Sequence, residues 1–499
     1  MISILIDSIK RSARLISVGI ITIILGVFSC IRCSSPKTPT KGQNPNLVLI
    51  VSDDVGWADV GYHGGDIWTP NIDRLAEQGV RLEHFYVCPL CTPTRAGLMT
   101  GSYGIRFGMQ RATCPPESPY GIPTGIETLP EMLARAGYKR RGMFGKWHLG
   151  HRYRKFTPNG QGFTHFYGHY TGSIDHFTHK RDDELDWHRQ YESSYDKGYS
   201  TDLISNEAVR FIQESPVNEP FFLYVPFNVP HKPLQVPQEY IDQYVHMVKE
   251  DASPAEQKRQ KRRQIYAGMV TCMDEAIGRI LDIIDSKGIA DNTLVFFLND
   301  NGGPLDAANN APLRGDKATL WEGGIRVPAI IRWQKGGLVG GRKVNDFLCY
   351  IDVYPTFKRI VGLTEPAPHH VDGIDMLDIL RGEATAPGRE FYSYHDRAAD
   401  DELLAINTPE WKLIRRGPAI LEVDQGGEAL IELFRIAEDP YENNNVADLY
   451  PGVVKQLLDK VRAFRALRKP GGLPRQEERR EDIEEGWRRP FEWKALPDS

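Results

Sequence analysis

The sequence predicts an α/β protein: a large, mainly parallel central sheet flanked by helices, followed by a smaller C-terminal α+β domain that carries an antiparallel sheet. Three observations predict it. Continuous apolar runs at residues 47–51, 220–225 and 293–298 read as strands buried on both faces. Amphipathic helical stretches at 201–215 and 254–287 stand between such runs, and strands that alternate with helices build parallel sheets. Past residue 390 the pattern changes to short, closely spaced strands at 403–406, 411–415 and 431–435, with a helix at 450–467.

The chain has 499 residues, enough for a large core and two domains. A net charge of −5 offers no broad basic face for nucleic acid. Residues 1–30 read as an export segment rather than as part of the fold. Lys10, Arg11 and Arg14 precede an apolar run at 15–28, which is short for a membrane span. The run ends in Val27-Phe28-Ser29-Cys30, which resembles a bacterial lipobox with Cys30 as the lipidated residue. That implies a lipoprotein signal peptide over 1–30, plain cleavage or an uncleaved anchor being the alternatives, and a tether over 31–45. It also implies a protein exported to the periplasm or outer membrane of a Gram-negative bacterium, touching the membrane only through its lipid. A catalytic domain over 46–390, a C-terminal subdomain over 391–468 and a charged tail over 469–499 follow. Seven cysteines show neither a disulfide framework nor a zinc spacing, and a Cys88–Cys114 bridge is left open.

In chain order, the strand at 47–51 runs into Asp53-Asp54. Two adjacent carboxylates either cap a turn or repel each other unless a cation sits between them. A strand at 80–87 delivers a loop that begins at Cys88. A helix at 127–136 stops at Gly137, and the strand at 139–144 leads to Gly145-Lys146-Trp147-His148. Lys146 and His148 are two apart, so an extended backbone points both the same way. Residues 151–200 have weak periodicity and read as loops and short elements over a site. The strand at 220–225 leads to His231, which lies between Pro230 and Pro233. The strand at 293–298 ends in Asn299-Asp300-Asn301, and Lys317 follows in a glycine-rich stretch. A strand at 329–333 and a helix at 351–361 close the catalytic part.

Every one of these polar groups lies just past the carboxyl end of an apolar strand. In an open parallel sheet that edge is where ligands bind, so one rule gathers distant residues into one cleft. Asp53, Asp54, Asp300 and Asn301 are hard oxygen donors, which suit Ca2+ first and Mg2+ second.

Cys91 opens the stretch Cys91-Thr92-Pro93-Thr94-Arg95, just before a helix-like segment. A lone cysteine beside a turn is commonly a structural residue. Here Cys91-x-Pro93-x-Arg95, with Leu98, Thr100 and Gly101, resembles the signature of the type I sulfatases of the alkaline phosphatase superfamily. Thr94 stands where that family more often has serine. Gly145-Lys146-Trp147-His148-Leu149-Gly150, the stretches at 312–317 and 321–328, and Glu432-Leu433-Phe434 are similar to further motifs of the family, so the resemblance spans about 46 to 450.

The resemblance implies an alkaline-phosphatase-like fold and a sulfuric ester hydrolase. It implies that Cys91 is oxidised to formylglycine, by a formylglycine-generating or an anaerobic sulfatase-maturating enzyme. The hydrated aldehyde then attacks sulfur and serves as a metal ligand with Asp53, Asp54, Asp300 and Asn301. Arg95, Lys146 and Lys317 hold sulfate and site oxygens, His231 protonates the leaving oxygen, and His148 helps expel sulfate. Residues 103–110 and 172–179 are similar to stretches of glycan sulfatases of the arylsulfatase B type. They point to a sulfated polysaccharide or its oligosaccharides, with Asp175, His176 and His179 as sugar contacts. Two rival readings are a phosphodiesterase or phosphonate monoester hydrolase of the same superfamily, and a non-catalytic glycan-binding lipoprotein.

Overall fold

A computed structural model describes residues 44–116, 118–421 and 429–473. The expected export segment, the expected tether up to residue 43 and the expected tail beyond residue 473 lie outside them. The described residues form one compact unit.

The first strand, Asn46–Ser52, is the centre of a ten-stranded sheet. Its side chains alternate between two cores, as the two-residue period of a strand requires. Leu47, Leu49 and Val51 enter one core, and Val48 and Ile50 enter the other. It pairs in parallel with Phe221–Pro226 on one side and Thr293–Asn299 on the other. Arg140–Lys146 and His165–His169 extend the parallel run to five strands. Beyond Thr293–Asn299 the sheet turns mixed: Ala329–Arg332 is antiparallel to it, then come Val80–Leu82 and Arg342–Val344.

Helices cover both faces. The 33-residue helix Pro254–Ser286 starts with Pro254 in its first turn and the Ser253 hydroxyl accepting from Glu256 N at 3.3 Å, a sound helix start. It buries Met269, Met273, Ala276, Ile277 and Ile280, a helical spacing, against Val48 and Ile50 of the sheet's second face. The helices Cys91–Thr100, Leu129–Arg135 and Val353–Ile360 contribute to the other core.

The structure corrects one expectation and specifies two others. The expected strand 80–87 breaks at Glu83-His84 into Val80–Leu82 and Phe85–Tyr86, and the second piece pairs with Leu348–Cys349. The short elements expected within 151–200 include His165–His169, which joins the parallel sheet, and two short antiparallel strands, His188–Arg189 and Glu192–Ser193, which continue it. Two histidines and a glycine in five residues conceal that strand from an apolar-run criterion. The open question of a Cys88–Cys114 bridge is answered: none of the five buried cysteines from Cys88 to Cys349 is in a disulfide.

The C-terminal part is a four-stranded antiparallel meander: Phe391–Ala398, Asp401–Asn407, Lys412–Gly417 and Leu430–Phe434. The helix Pro451–Arg465 lies against it, with Phe464 stacked on Tyr392 at 4.5 Å. The meander is joined to the rest through Lys412. Its Nζ lies 2.9 Å from Glu322 and 2.7 Å from Glu442, and all three side chains are fully buried. Tyr86 Oη donates to Glu322 at 2.9 Å. Burial pushes the Glu442 carboxyl up to about 7, against the pull of Lys412, so a proton on Glu442 leaves the triad neutral.

Lys412→Met should therefore strand two buried carboxyl groups. An unfolding free energy lower by about 3–5 kcal/mol is expected in urea titration, as for breaking a buried ion pair. A loss of less than about 1 kcal/mol would count against the triad as the joint.

Candidate active site

Because the five central strands are parallel, their carboxyl ends share one edge of the sheet, and the polar groups gather there. Asp53 and Asp54 follow the first strand, Lys146 ends another, His231 follows Phe221–Pro226, and Asp300 and Asn301 follow Thr293–Asn299. Asn299 aligns two of these ends. Its Oδ1 accepts from Ser52 Oγ at 2.8 Å and Val55 N at 3.1 Å, and its Nδ2 donates to Val55 O at 2.7 Å.

The Cys91–Thr100 helix points its first turn at the same edge. It begins at Cys91 itself, earlier than a Thr-Pro-Thr turn suggests, and all ten of its residues are buried. Cys91 and Arg95 are four apart and so lie on one helix face. Arg95 donates through Nε to Asp300 Oδ2 at 2.9 Å and through a terminal nitrogen to Lys146 O at 3.1 Å. The Thr94 hydroxyl accepts from Cys88 N at 3.0 Å and lies 3.2 Å from Leu90 O. Any hydroxyl at position 94 can make these bonds, which accounts for threonine in place of serine.

Lys146 Nζ lies 2.6 Å from Asp53 Oδ2, with both side chains fully buried. Lys317 Nζ lies 2.6 and 2.8 Å from the two Asp54 oxygens, and Asn301 Nδ2 donates to Asp54 Oδ1 at 2.7 Å. After these bonds are counted, three fully buried oxygens have no hydrogen-bond partner: Asp53 Oδ1, Asp300 Oδ1 and Asn301 Oδ1. A buried acceptor without a donor is costly. Three from neighbouring strand ends, beside Asp54, make a donor set that fits a hard divalent cation. Asp53 and Asp54 also come together with His231, one atom of each lying within 4.8 Å of the others.

The electrostatics follow from burial and charge. Burial opposes ionisation of Asp53, yet Lys146, His231, Arg95 and Lys317 outweigh it and hold the carboxyl well below the usual range. Burial, then the charge of Asp53, pushes Asp300 up to about 6. Burial raises the Cys91 thiol above its ordinary value, partly offset by Lys146 and Lys317. Burial, reinforced by Lys146 and Arg95, drives His148 well below the usual imidazole range, so its ring is neutral. Its Nε2 faces the Cys114 carbonyl at 2.9 Å and must carry the proton. Nδ1 is then a free base, 3.2 Å from Cys91 Sγ.

His148 reaches Cys91 by a different route from the one its spacing to Lys146 suggests. Its backbone is left-handed, φ 58°, so Lys146 and His148 do not share an extended stretch. Asp54 is also left-handed, φ 78°. Strain of this kind in non-glycine residues concentrates at functional sites. Gly172 makes room for the His148 ring: a Cβ there would lie 2.5 Å from the imidazole.

Residues 45–363 match the sulfatase family. The chain belongs to the sulfatase family. Residues 315–466 match a second family, the C-terminal part of N-sulphoglucosamine sulphohydrolase. The chain is 31% identical to arylsulfatase J of Mus musculus over 88% of this chain and 79% of that one. It is 33% identical to N-acetylgalactosamine-6-sulfatase of Homo sapiens over 68% of this chain and 66% of that one. Among solved structures, Ps i-CgsB in complex with k-i-k-neocarrahexaose superposes with a TM-score of 0.77 at 29% identity, covering 87% of this chain and 96% of that one. The protein is thus a sulfuric ester hydrolase with the fold of this family.

The sulfatase site gathers Cys91, Arg95, Lys146, His148, His231, Lys317, Asp53, Asp54, Asp300 and Asn301. The three expected sugar contacts are engaged with protein groups. Asp175 accepts from Phe177 N and Thr178 N at 3.0 and 2.7 Å, and from Gln235 Nε2 at 2.7 Å. His176 is buried between Ser200 Oγ at 3.0 Å and His231 O at 3.1 Å. His179 faces Gly198 O at 3.0 Å and stacks on Trp187. Asp175 and His176 thereby tie their stretch to the loop that carries His231 and Gln235, and His179 ties it to Gly198. The site instead opens through a cleft of about 260 Å³ beside Asp54 and Lys317, lined by Pro230, Lys232, Leu234, Arg262 and Leu305.

Two supporting residues escape sequence reasoning. Tyr266 Oη lies 2.9 Å from Asp54 O and 2.7 Å from Asp59 Oδ2, supporting the left-handed turn. It sits in mid-helix with no local signal of this role. Asn299 was visible only as the first letter of the Asn-Asp-Asn run.

The three orphaned oxygens predict cation-dependent stability. Free Ca2+ at a hundredfold excess over its Kd should stabilise the sulfatase by about 2.7 kcal/mol, seen as a rise in melting temperature. Asp300→Ala should show little of that rise.

Proposed function

We propose that this sulfatase hydrolyses sulfate esters on a sulfated polysaccharide or its oligosaccharides, with formylglycine at position 91 and a calcium ion at the strand ends. The observation that carries this reading is the set of orphaned oxygens of Asp53, Asp300 and Asn301, in the same cluster as the Cys91 side chain. The glycan part is supported by the likeness to Ps i-CgsB, solved with k-i-k-neocarrahexaose, and to N-acetylgalactosamine-6-sulfatase. Asp53, Asp54, Asp300 and Asn301 are the residues that would hold the ion. When present, the ion supplies positive charge for the sulfate oxygens and the aldehyde supplies the nucleophile.

The chain's own residues supply the rest. Lys146 and Lys317 bring two ammonium groups to the place where a sulfate monoanion must be bound. Arg95 fixes Asp300 and the end of the Lys146 strand. His231 donates from Nδ1 to the Lys232 carbonyl, so it has a proton at Nε2 for the leaving sugar oxygen when the ring is doubly protonated. Burial, and Lys317 after it, draws the free imidazole down to about 4; the incoming anion favours the protonated ring. His148, its tautomer fixed by the Cys114 carbonyl, presents Nδ1 as a base toward side chain 91. The Cys91-x-Pro93-x-Arg95 core is the substrate of a formylglycine-generating or anaerobic sulfatase-maturating enzyme. The apolar run and Cys30 support an exported lipoprotein of the periplasm or outer membrane. Among the described residues no helix is long and apolar enough to cross a membrane.

The test is a turnover screen. Carrageenan and chondroitin sulfate oligosaccharides, galactose sulfates and bis(4-nitrophenyl) phosphate are compared by kcat/KM. A sulfated sugar should be the fastest, and Cys91→Ala should lose at least about a thousandfold in sulfate release, the loss expected of a nucleophile. Faster turnover of the phosphate diester, or full activity in Cys91→Ala, would overturn the reading.

A further inference from the structure

His231 is held less directly than the other site residues. Its ring has one protein hydrogen bond, from Nδ1 to the carbonyl of its neighbour Lys232 at 2.7 Å, while Nε2 faces Asp54 Oδ2 at 3.8 Å. That bond lies within the loop itself, so it moves with the loop. The ring's place therefore depends on what holds the loop backbone.

What holds it is His176. The His231 carbonyl can only accept, so His176 Nε2, at 3.1 Å, carries the proton. Burial keeps the His176 ring neutral, its pKa drawn to about 4. Nδ1 is then an acceptor, and the Ser200 hydroxyl at 3.0 Å donates to it. Ser200 has one proton, so it cannot also donate to Asn228, whose side-chain amide lies 3.2 Å away. The amide nitrogen of Asn228 is buried and lacks a partner in the orientation drawn. Turning the amide over lets that nitrogen donate to Ser200 Oγ and completes the chain of bonds. Donors then run from Asn228 to Ser200, from Ser200 to His176 and from His176 to His231 O. Asn228 stands two residues past the Phe221–Pro226 strand, and Ser200 begins the helix Ser200–Glu214. The backbone of His176 is tied as well: His176 N donates to Gln235 Oε1 at 3.0 Å, and Ser200 N donates to His176 O at 2.9 Å. His176, Ser200 and Asn228 are all buried, at 1%, 0% and 2% exposure, so none is available to a substrate.

We propose that His176, with Ser200 and Asn228 behind it, is a positioning residue for His231, holding the His231 loop so that Nε2 faces the Asp54 side of the site. The proposal rests on the reading of His231 as the acid for the leaving oxygen. Proton donation matters most for a poor leaving group such as a sugar hydroxyl and least for 4-nitrophenolate. Displacement of the acid by even about 1 Å is enough to cost up to about a hundredfold.

The experiment compares the wild type, His176→Phe, Ser200→Ala, His231→Gln and the double variant His176→Phe/His231→Gln. Each acts on the faster of galactose 4-sulfate and galactose 6-sulfate and on 4-nitrophenyl sulfate. His176→Phe keeps the ring volume beside Tyr199, 5.8 Å away between centroids, and removes both side-chain hydrogen bonds. We expect kcat on the sugar sulfate to fall at least about tenfold and kcat on the aryl ester by less than about threefold, with KM little changed, as for loss of a proton donor. On the sugar sulfate the double variant should be no slower than His231→Gln alone. His176→Gln, which keeps a donor for the His231 carbonyl, should recover most of the sugar-sulfate rate. If His176→Phe does not fold, Ser200→Ala decides in its place, with the same substrate bias at about threefold. Equal losses on both substrates, or losses that multiply in the double variant, would overturn the proposal. If His231→Gln itself loses equally on both substrates, the acid assignment of His231 fails; non-additivity in the double variant still judges the brace.

Discussion

Asp53, Asp54, Asp300 and Asn301 meet where the carboxyl ends of two parallel strands run side by side, fully withdrawn from water. Carboxylates placed this close raise one another's proton affinity, and burial raises it further. Asp300 shows that pressure, whereas Asp53 is held ionised by Lys146, Arg95, Lys317 and His231. The site is a balance of buried charge in which each cation answers a particular oxygen. Even so, one oxygen each of Asp53, Asp300 and Asn301 has no donor. The sheet order, the helix that delivers Arg95 and the loop that delivers Lys317 all serve to bring these charges into register.

Much of this was legible in the sequence, for a physical reason. Strands buried on both faces leave no choice of residue type, so the runs at 47–51, 220–225 and 293–298 are plain, and the polar residues that follow each run stand out against them. The parallel-sheet rule then placed Asp53, Lys146, His231 and Asp300 together without any knowledge of distances. The rule has nothing to read where a strand is not an apolar run. His165–His169 carries two histidines and a glycine, so no strand stands out there. It is silent also about side chains in a loop. In the stretch at 172–179 the buried rings of His176 and His179 face backbone carbonyls, because loop backbone left unpaired by secondary structure needs side chains to satisfy it.

Conformation at single residues was the least legible. Asp54 and His148 both adopt left-handed backbone, and nothing in their neighbours announces it. Each is held by distant groups: Asp54 by Tyr266, from the middle of the long helix, and His148 by the Cys114 carbonyl and the Thr92 hydroxyl. The strain is local, and the restraint that maintains it comes from other parts of the chain.

The Cys91–Thr100 helix has no residue facing water. In the finished protein no enzyme can grasp this segment without dismantling the core around it. Any chemistry performed on Cys91 by another protein therefore belongs to the time before that core closes. Afterwards the choice is permanent, and a molecule that folds first keeps its thiol for life.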